Sequence, residues 1–129
     1  MYDPEVSDAV RTVLVVDDDP VILRLLEVNF EMEGFAVLTA GDGAEGIEVA
    51  RARQPDVVVS DVMMPKMNGL EMVAALKADP ETAAIPVLLL SAKAQADDVR
   101  LGLAAGADDY VTKPFEPHDL VERVTKLLS

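Results

Sequence analysis

Three aspartates stand together at Asp17, Asp18 and Asp19, directly after the apolar run VLVV, and a fourth, Asp61, directly follows VVVS. Two more groups that can handle charge sit at comparable points, Ser91 after VLLL and Lys113 after DYVT. Two carboxylates about 4 Å apart repel by roughly 4 kcal/mol at an effective dielectric of 20, so acids that meet need a proton or a cation. The chain has no Cys and a single His, His118, so the available ligands are hard oxygens and favour Mg²⁺ over Zn²⁺. Two carboxylates, one backbone carbonyl and a phosphate oxygen would fill the protein side of a Mg²⁺ shell that keeps several waters. A carboxylate can also attack phosphorus, giving an aspartyl phosphate. Phosphoryl transfer needs positioning and neutralised equatorial oxygens, and Mg²⁺, an ammonium and a hydroxyl can each take one.

These residues act together only if the fold brings them together. Short β-branched runs alternate five times with longer helical patterns. The strands are read at Thr12 to Val16, Ala36 to Ala40, Val57 to Ser60, Val87 to Leu90 and Asp109 to Thr112. VLVV, VVV and VLLL are continuously apolar, as central parallel strands covered on both faces must be. Helices are read at about Pro20 to Glu33, Ala44 to Arg53, Leu70 to Ala78, Asp97 to Ala105 and Pro117 to Leu128. Asp19 caps the first of these before Pro20, and Gly34 closes it. Asp79-Pro80 ends the third. Leu120, Val121, Val124, Leu127 and Leu128 share one face of the last, and Ile22, Leu25, Leu26 and Phe30 form the inner stripe of the first.

This order predicts an α/β fold, a (βα)₅ doubly wound five-stranded parallel sheet of flavodoxin-like order 2-1-3-4-5. Its ligand site would lie at the carboxyl ends of the first and third strands. There the acid cluster, the Ser91 hydroxyl and the Lys113 ammonium would converge. Asp19 already supplies the helix cap, which leaves Asp17 and Asp18 available for other work.

The segments VLVVDDDP, PDVVVSDVMMPKMNG, VLLLSA and GADDYVTKPF, in this order and spacing, resemble the receiver domain of bacterial response regulators. The match runs from Thr12 to Leu128, so residues 12–129 are expected to form a receiver domain behind an N-terminal extension of residues 1–11. The resemblance implies a phosphoacceptor at Asp61, an acidic pair in Asp17 and Asp18, and Mg²⁺ held by Asp17, Asp18, Asp61 and the Met63 backbone carbonyl. It implies Lys113 as the phosphate-pairing lysine, joined to Pro114 by a cis peptide bond. Ser91 would be the switch hydroxyl and Tyr110 the switch aromatic, turning inward as the hydroxyl moves toward phosphate. Ser91 stands where Thr is more frequent, and Met63 and Lys93 occupy positions that tune phosphoryl lifetime in the family.

The implied function is a signalling switch: a phosphoryl group passes from a histidine kinase or phosphotransfer domain to Asp61 and is relayed by a conformational change to a downstream protein effector. The chain would be no enzyme beyond self-directed phosphotransfer and autodephosphorylation. Its oligomeric state would be a monomer or a weak phosphorylation-dependent dimer. The alternative is the receiver half of a truncated DNA-binding regulator, in which Asp109 and Arg123 would pair across a dimer, although Val99 stands where a basic partner is expected. The apolar first helix, with Val21, Leu23, Val28 and Met32 outside its inner stripe, offers a kinase docking surface.

Composition excludes other classes. Eleven basic against 24 acidic residues, a net charge of −13, argue against direct nucleic acid binding and against an anionic membrane surface. MYDPEVSDAVR has no secretory character, and no apolar run nears the ~18 residues needed to span a bilayer, so a cytoplasmic location is expected. A phosphatase would want a general acid where Met63 stands, and a cap domain that 129 residues do not hold. A flavin binder would want a hydroxyl- and glycine-rich phosphate loop where DDDP would repel its ligand. Met63, Met64, Met67 and Met72 are read as loop and core filling, His118 as a surface residue, and Asp42, Glu45 and Glu48, like Asp97 and Asp98, as solvated helix faces.

Overall fold

The computed structural model describes residues 10–93 and 95–128, so nearly all of the expected N-terminal extension lies outside the described residues. Within them, strands β1 (Thr12–Val16), β2 (Ala36–Ala40), β3 (Val57–Asp61), β4 (Val87–Ser91) and β5 (Asp109–Thr112) alternate with helices α1 (Pro20–Met32), α2 (Gly43–Arg53), α3 (Gly69–Ala78), α4 (Ala96–Ala104) and α5 (Pro117–Leu127). The sheet is parallel, in the expected order β2-β1-β3-β4-β5. Its register places Val16 beside Ser60, Asp61 beside Leu90, and Ser91 beside Thr112, so four strands finish at one level under a common rim.

Alternation along each strand divides the apolar side chains between two layers. Leu14, Val16, Val58, Val87 and Leu89 pack with Ala50 of α2 and with Met72, Val73 and Leu76 of α3. Val13, Val15, Val57, Val59, Leu88 and Leu90 pack with Leu26 and Phe30 of α1 and with Leu120, Val121 and Val124 of α5. Each fully buried Val, Leu or Phe contributes on the order of 1.5–3 kcal/mol, which secures a rim built largely of polar groups.

The helix ends follow their punctuation. The Asp19 carboxylate accepts the Val21 amide at 2.9 Å ahead of Pro20, and Asp79 ends α3. Gly34 follows the last turn of α1 at φ +91°. Asp42 and Glu45 are more than a solvated face, because Asp42 accepts the Glu45 amide at 2.8 Å and the Glu45 carboxylate returns to the Gly41 amide. Asn68 and Glu71 form a reciprocal capping box at the start of α3.

Three further readings change. β3 and β4 each run one residue further, because the polar Asp61 and Ser91 still pair in the ladder. α2, α3 and α4 each begin one residue earlier and α1 and α4 end one earlier, with α5 ending at Leu127. Leu25 leaves the inner stripe of α1. It is 41% exposed and joins Val21 and Met32 on the outer side, while Leu26 and Phe30 fill the core. No helix among the described residues is long and apolar enough to cross a membrane.

Lys77 staples α3 to the segment leading into β4. Its ammonium donates to the Ala83 carbonyl at 3.3 Å and the Ile85 carbonyl at 2.8 Å, and pairs with Asp108 at 3.2 Å. Asp108 in turn accepts the Val87 amide at 2.8 Å. Lys77→Met keeps the stem but strips these bonds, and is expected to cost about 1.5–3 kcal/mol. Urea unfolding should show a lower midpoint at unchanged slope. Arg24→Ala, which removes an exposed pair with Glu27, should change stability by no more than about 0.5 kcal/mol.

Candidate phosphoacceptor site

The end of β1 turns sharply into α1, and Asp17 faces inward at 1% exposure while Asp18 faces solvent. Asp61, at the end of β3, is 7% exposed. Each of Asp17, Asp18 and Asp61 can offer a carboxylate oxygen within 4.8 Å of the others. The Lys113 ammonium approaches from the end of β5, 3.7 Å from Asp17 Oδ2 and 3.6 Å from Asp61 Oδ2. Ser91 is fully buried at the end of β4, and the Lys113 amide donates to its carbonyl at 2.7 Å. The Lys113–Pro114 peptide is cis. The fold thus brings together Asp17, Asp18, Asp61, Ser91 and Lys113 from four strand ends. The Met63 amide donates to Asp61 Oδ1 at 3.3 Å, while its side chain is 56% exposed. Met64, Met67 and Met72 pack on the core as filling.

The electrostatics are unbalanced. Three ionised carboxylates and one ammonium leave two excess negative charges, which a divalent cation would cancel. Asp17 carries most of the tension. Its Oδ1 accepts the Asp19 amide at 2.9 Å, but its buried Oδ2 has no hydrogen-bond partner. Burial lifts its carboxyl from an ordinary 3.8 to about 6. The Asp19 amide opposes that rise, Asp61 adds to it, Lys113 opposes it and Asp18 adds to it. An orphaned buried carboxylate oxygen in an all-oxygen cluster fits a hard cation.

The expected switch pair is linked through one residue. The Lys93 amide donates to Ser91 Oγ at 3.1 Å, and the Lys93 carbonyl accepts the Tyr110 hydroxyl at 2.8 Å. Tyr110 is 6% exposed, so in this structure its ring already points inward. Asp109 and Arg123 pair within the chain, Arg123 Nε donating to Asp109 Oδ2 at 2.9 Å. His118 is exposed in the first turn of α5.

Two supporting residues escaped the sequence reading. The fully buried Ser60 hydroxyl donates to the Asp61 carbonyl at 2.9 Å. A serine within a valine run was the available signal. Gly69 opens α3 so close to β3 that a Cβ there would collide with the Asp61 carbonyl oxygen. Only a residue without a side chain lets that helix start beside Asp61. The N-x-x-E pattern from Asn68 to Glu71 marked the helix start.

The chain matches the family model for the response regulator receiver domain over residues 13–125. It is 45% identical over 114 residues to the DNA-binding response regulator MtrA of Mycolicibacterium smegmatis, covering 88% of this chain and 49% of that protein. It is 43% identical over 118 residues to the alkaline phosphatase synthesis transcriptional regulatory protein PhoP of Bacillus subtilis, covering 92% of this chain and 48% of that protein. The chain therefore spans about half the length of the curated relatives it matches. Its fold superposes on the chemotaxis response regulator CheY4 of Vibrio cholerae with a TM-score of 0.88 at 32% identity, covering 93% of this chain and 100% of that one.

Proposed function

The chain belongs to the response regulator receiver domain family, and we propose that it is a phosphoacceptor switch that takes a phosphoryl group onto Asp61 from a histidine kinase or phosphotransfer protein. The observation that carries this reading is the buried Asp61 carboxylate beside Asp17, Asp18 and Lys113. Asp17, Asp18, Asp61 and the Met63 carbonyl would hold Mg²⁺, which supplies charge neutralisation for the phosphoryl oxygens. An Asp61 carboxylate oxygen attacks phosphorus. A bond forms between that oxygen and phosphorus, and the bond to the donor nitrogen or oxygen breaks with its electron pair leaving on the donor. Lys113, already 3.6 Å from Asp61, pairs with the transferred group. The Ser91 hydroxyl accepts the Lys93 amide and keeps its own hydrogen to donate to a phosphoryl oxygen. Catalysis is confined to this self-directed transfer and to loss of the phosphoryl group to water.

Movement of Ser91 Oγ toward phosphate would tug the Lys93 backbone and, through its carbonyl, Tyr110. The output surface would then be α4, β5 and α5, biased between two existing states rather than built anew. A second reading, in which the chain is the input module of a longer DNA-binding regulator, is favoured by the names and lengths of MtrA and PhoP. It leaves the chemistry at Asp61 unchanged.

With beryllofluoride and Mg²⁺ as a phosphoryl mimic, amide NMR shifts should spread from the rim into α4, β5 and α5, with α2 responding least. At saturating mimic, Ser91→Ala should bind it yet shrink the distant shifts by more than half. Undiminished distant shifts in that variant would remove Ser91 from the relay.

A further inference from the structure

Gly102 sits inside α4, buried, where glycine is a poor choice for helix stability. Its backbone is ordinary helix, so no left-handed conformation calls for glycine there. The reason lies across the interface. A Cβ at Gly102 would lie 2.7 Å from Tyr110 Cδ2 and 2.9 Å from Cε2, with Leu89 Cδ1 next at 3.2 Å. The leucine methyl can give way. The tyrosine cannot yield by bending a flexible tip, because the close atoms belong to a rigid ring whose hydroxyl is tied to the Lys93 carbonyl at 2.8 Å. Tyr110 therefore reaches its buried position by lying in a slot that exists because residue 102 has no side chain.

We infer that Gly102 is the positioning residue of the switch: the missing side chain on α4 holds open the slot that lets Tyr110 turn inward. Any side chain at this position closes the slot and shifts the tyrosine toward its outward orientation, without touching Asp61, Lys113 or the acid cluster. The inference rests on the switch reading for what Tyr110 responds to. The slot itself rests on geometry alone. It also gives the Lys93 link a second anchor, with the ring held by α4 at one end and by the β4–α4 connection at the other.

The test uses the full chain in a Tyr2→Phe background. With no Trp and only two Tyr in the sequence, Tyr110 is then the sole intrinsic fluorophore of its class. Gly102→Ala should raise acrylamide quenching of Tyr110 severalfold and lower the melting temperature by about 5 °C. Beryllofluoride with Mg²⁺ should still produce the rim shifts at Asp61, while the shifts in β5 and α5 shrink. In a Tyr110→Ala background the same Gly102→Ala change should no longer destabilise, and should raise the melting temperature, because alanine favours helix once the ring is gone. That double variant remains informative even if Gly102→Ala alone folds poorly. Equal destabilisation by Gly102→Ala in both backgrounds, or unchanged quenching of Tyr110 in a folded Gly102→Ala protein, overturns the inference. Absence of any rim shift in the Tyr2→Phe parent with the mimic counts instead against the phosphoacceptor reading, leaving the slot to be judged by quenching and melting.

Discussion

Asp61→Asn is expected to cut Mg²⁺-dependent phosphoryl uptake from acetyl phosphate by roughly 10³-fold or more, because losing a nucleophile removes the reaction route itself. The amide that replaces the carboxylate is isosteric and still accepts the Met63 amide, so the rim is expected to keep its shape. Removing one of three clustered carboxylates relieves repulsion, and the metal-free variant should melt no lower than the parent. Labelling is measured as acid-labile, hydroxylamine-sensitive phosphate per chain. Neighbouring acids are poor substitutes: Asp18 is exposed, and the buried Asp17 has one oxygen committed to the Asp19 amide. Label that persists on Asp61→Asn at the parental rate would move the acceptor elsewhere.

The second large effect belongs to Asp17. Its carboxyl titrates near 6 in the folded chain against an ordinary 3.8, so the folded state holds this proton more tightly than the unfolded state does. The favourable contribution is present in acid and is lost as pH rises from about 4 to above 6, leaving a destabilisation on the order of 2–3 kcal/mol at neutral pH without metal. Asp17→Asn should therefore melt roughly 8 °C above the parent at pH 7.5 in chelator, with the difference vanishing near pH 4. Millimolar Mg²⁺ is expected to reverse the comparison. Binding would stabilise the parent by RT ln(1 + [L]/Kd), about 1–3 kcal/mol at tens to hundreds of Kd. The variant, lacking one ligand oxygen's charge, should lose more than the roughly 10–100-fold in affinity that loss of a supporting partner costs a metal site. Parental affinity should also fall below pH 6, where the proton competes for Asp17. A pH-independent difference in melting between variant and parent would show that Asp17 carries no buried-charge tension.

The sheet order was legible because VLVV, VVVS and VLLL are too apolar for anything but doubly covered strands, and because each is followed by a helical period of the right length. The convergence of Asp17, Asp61, Ser91 and Lys113 came with that topology, since polar residues at strand ends have one rim to share. What escaped depends on contacts between elements distant in sequence. Leu25 fits the inner stripe by spacing, yet α1 is rotated so that Leu26 and Phe30 take the core. Lys77 looks like any helix lysine until the Ala83 and Ile85 carbonyls fold beneath it. Gly69 and Gly102 are silent in periodicity, because the reason for each is an atom that would collide with a residue elsewhere in the chain. The orientation of Tyr110 is likewise set by a slot on α4 and a carbonyl at Lys93, neither of which a strand pattern encodes.

Whether Asp61 itself carries the phosphoryl group is decided by chemical trapping in the unmutated chain. Acetyl phosphate and Mg²⁺ are added, the acyl phosphate is reduced with borohydride, and the peptides are sequenced by mass spectrometry. Homoserine is expected at position 61, and none when Mg²⁺ is chelated. Homoserine at position 17 or 18, or phosphate retained on Ser91 or His118 with position 61 unmodified, would place the acceptor elsewhere.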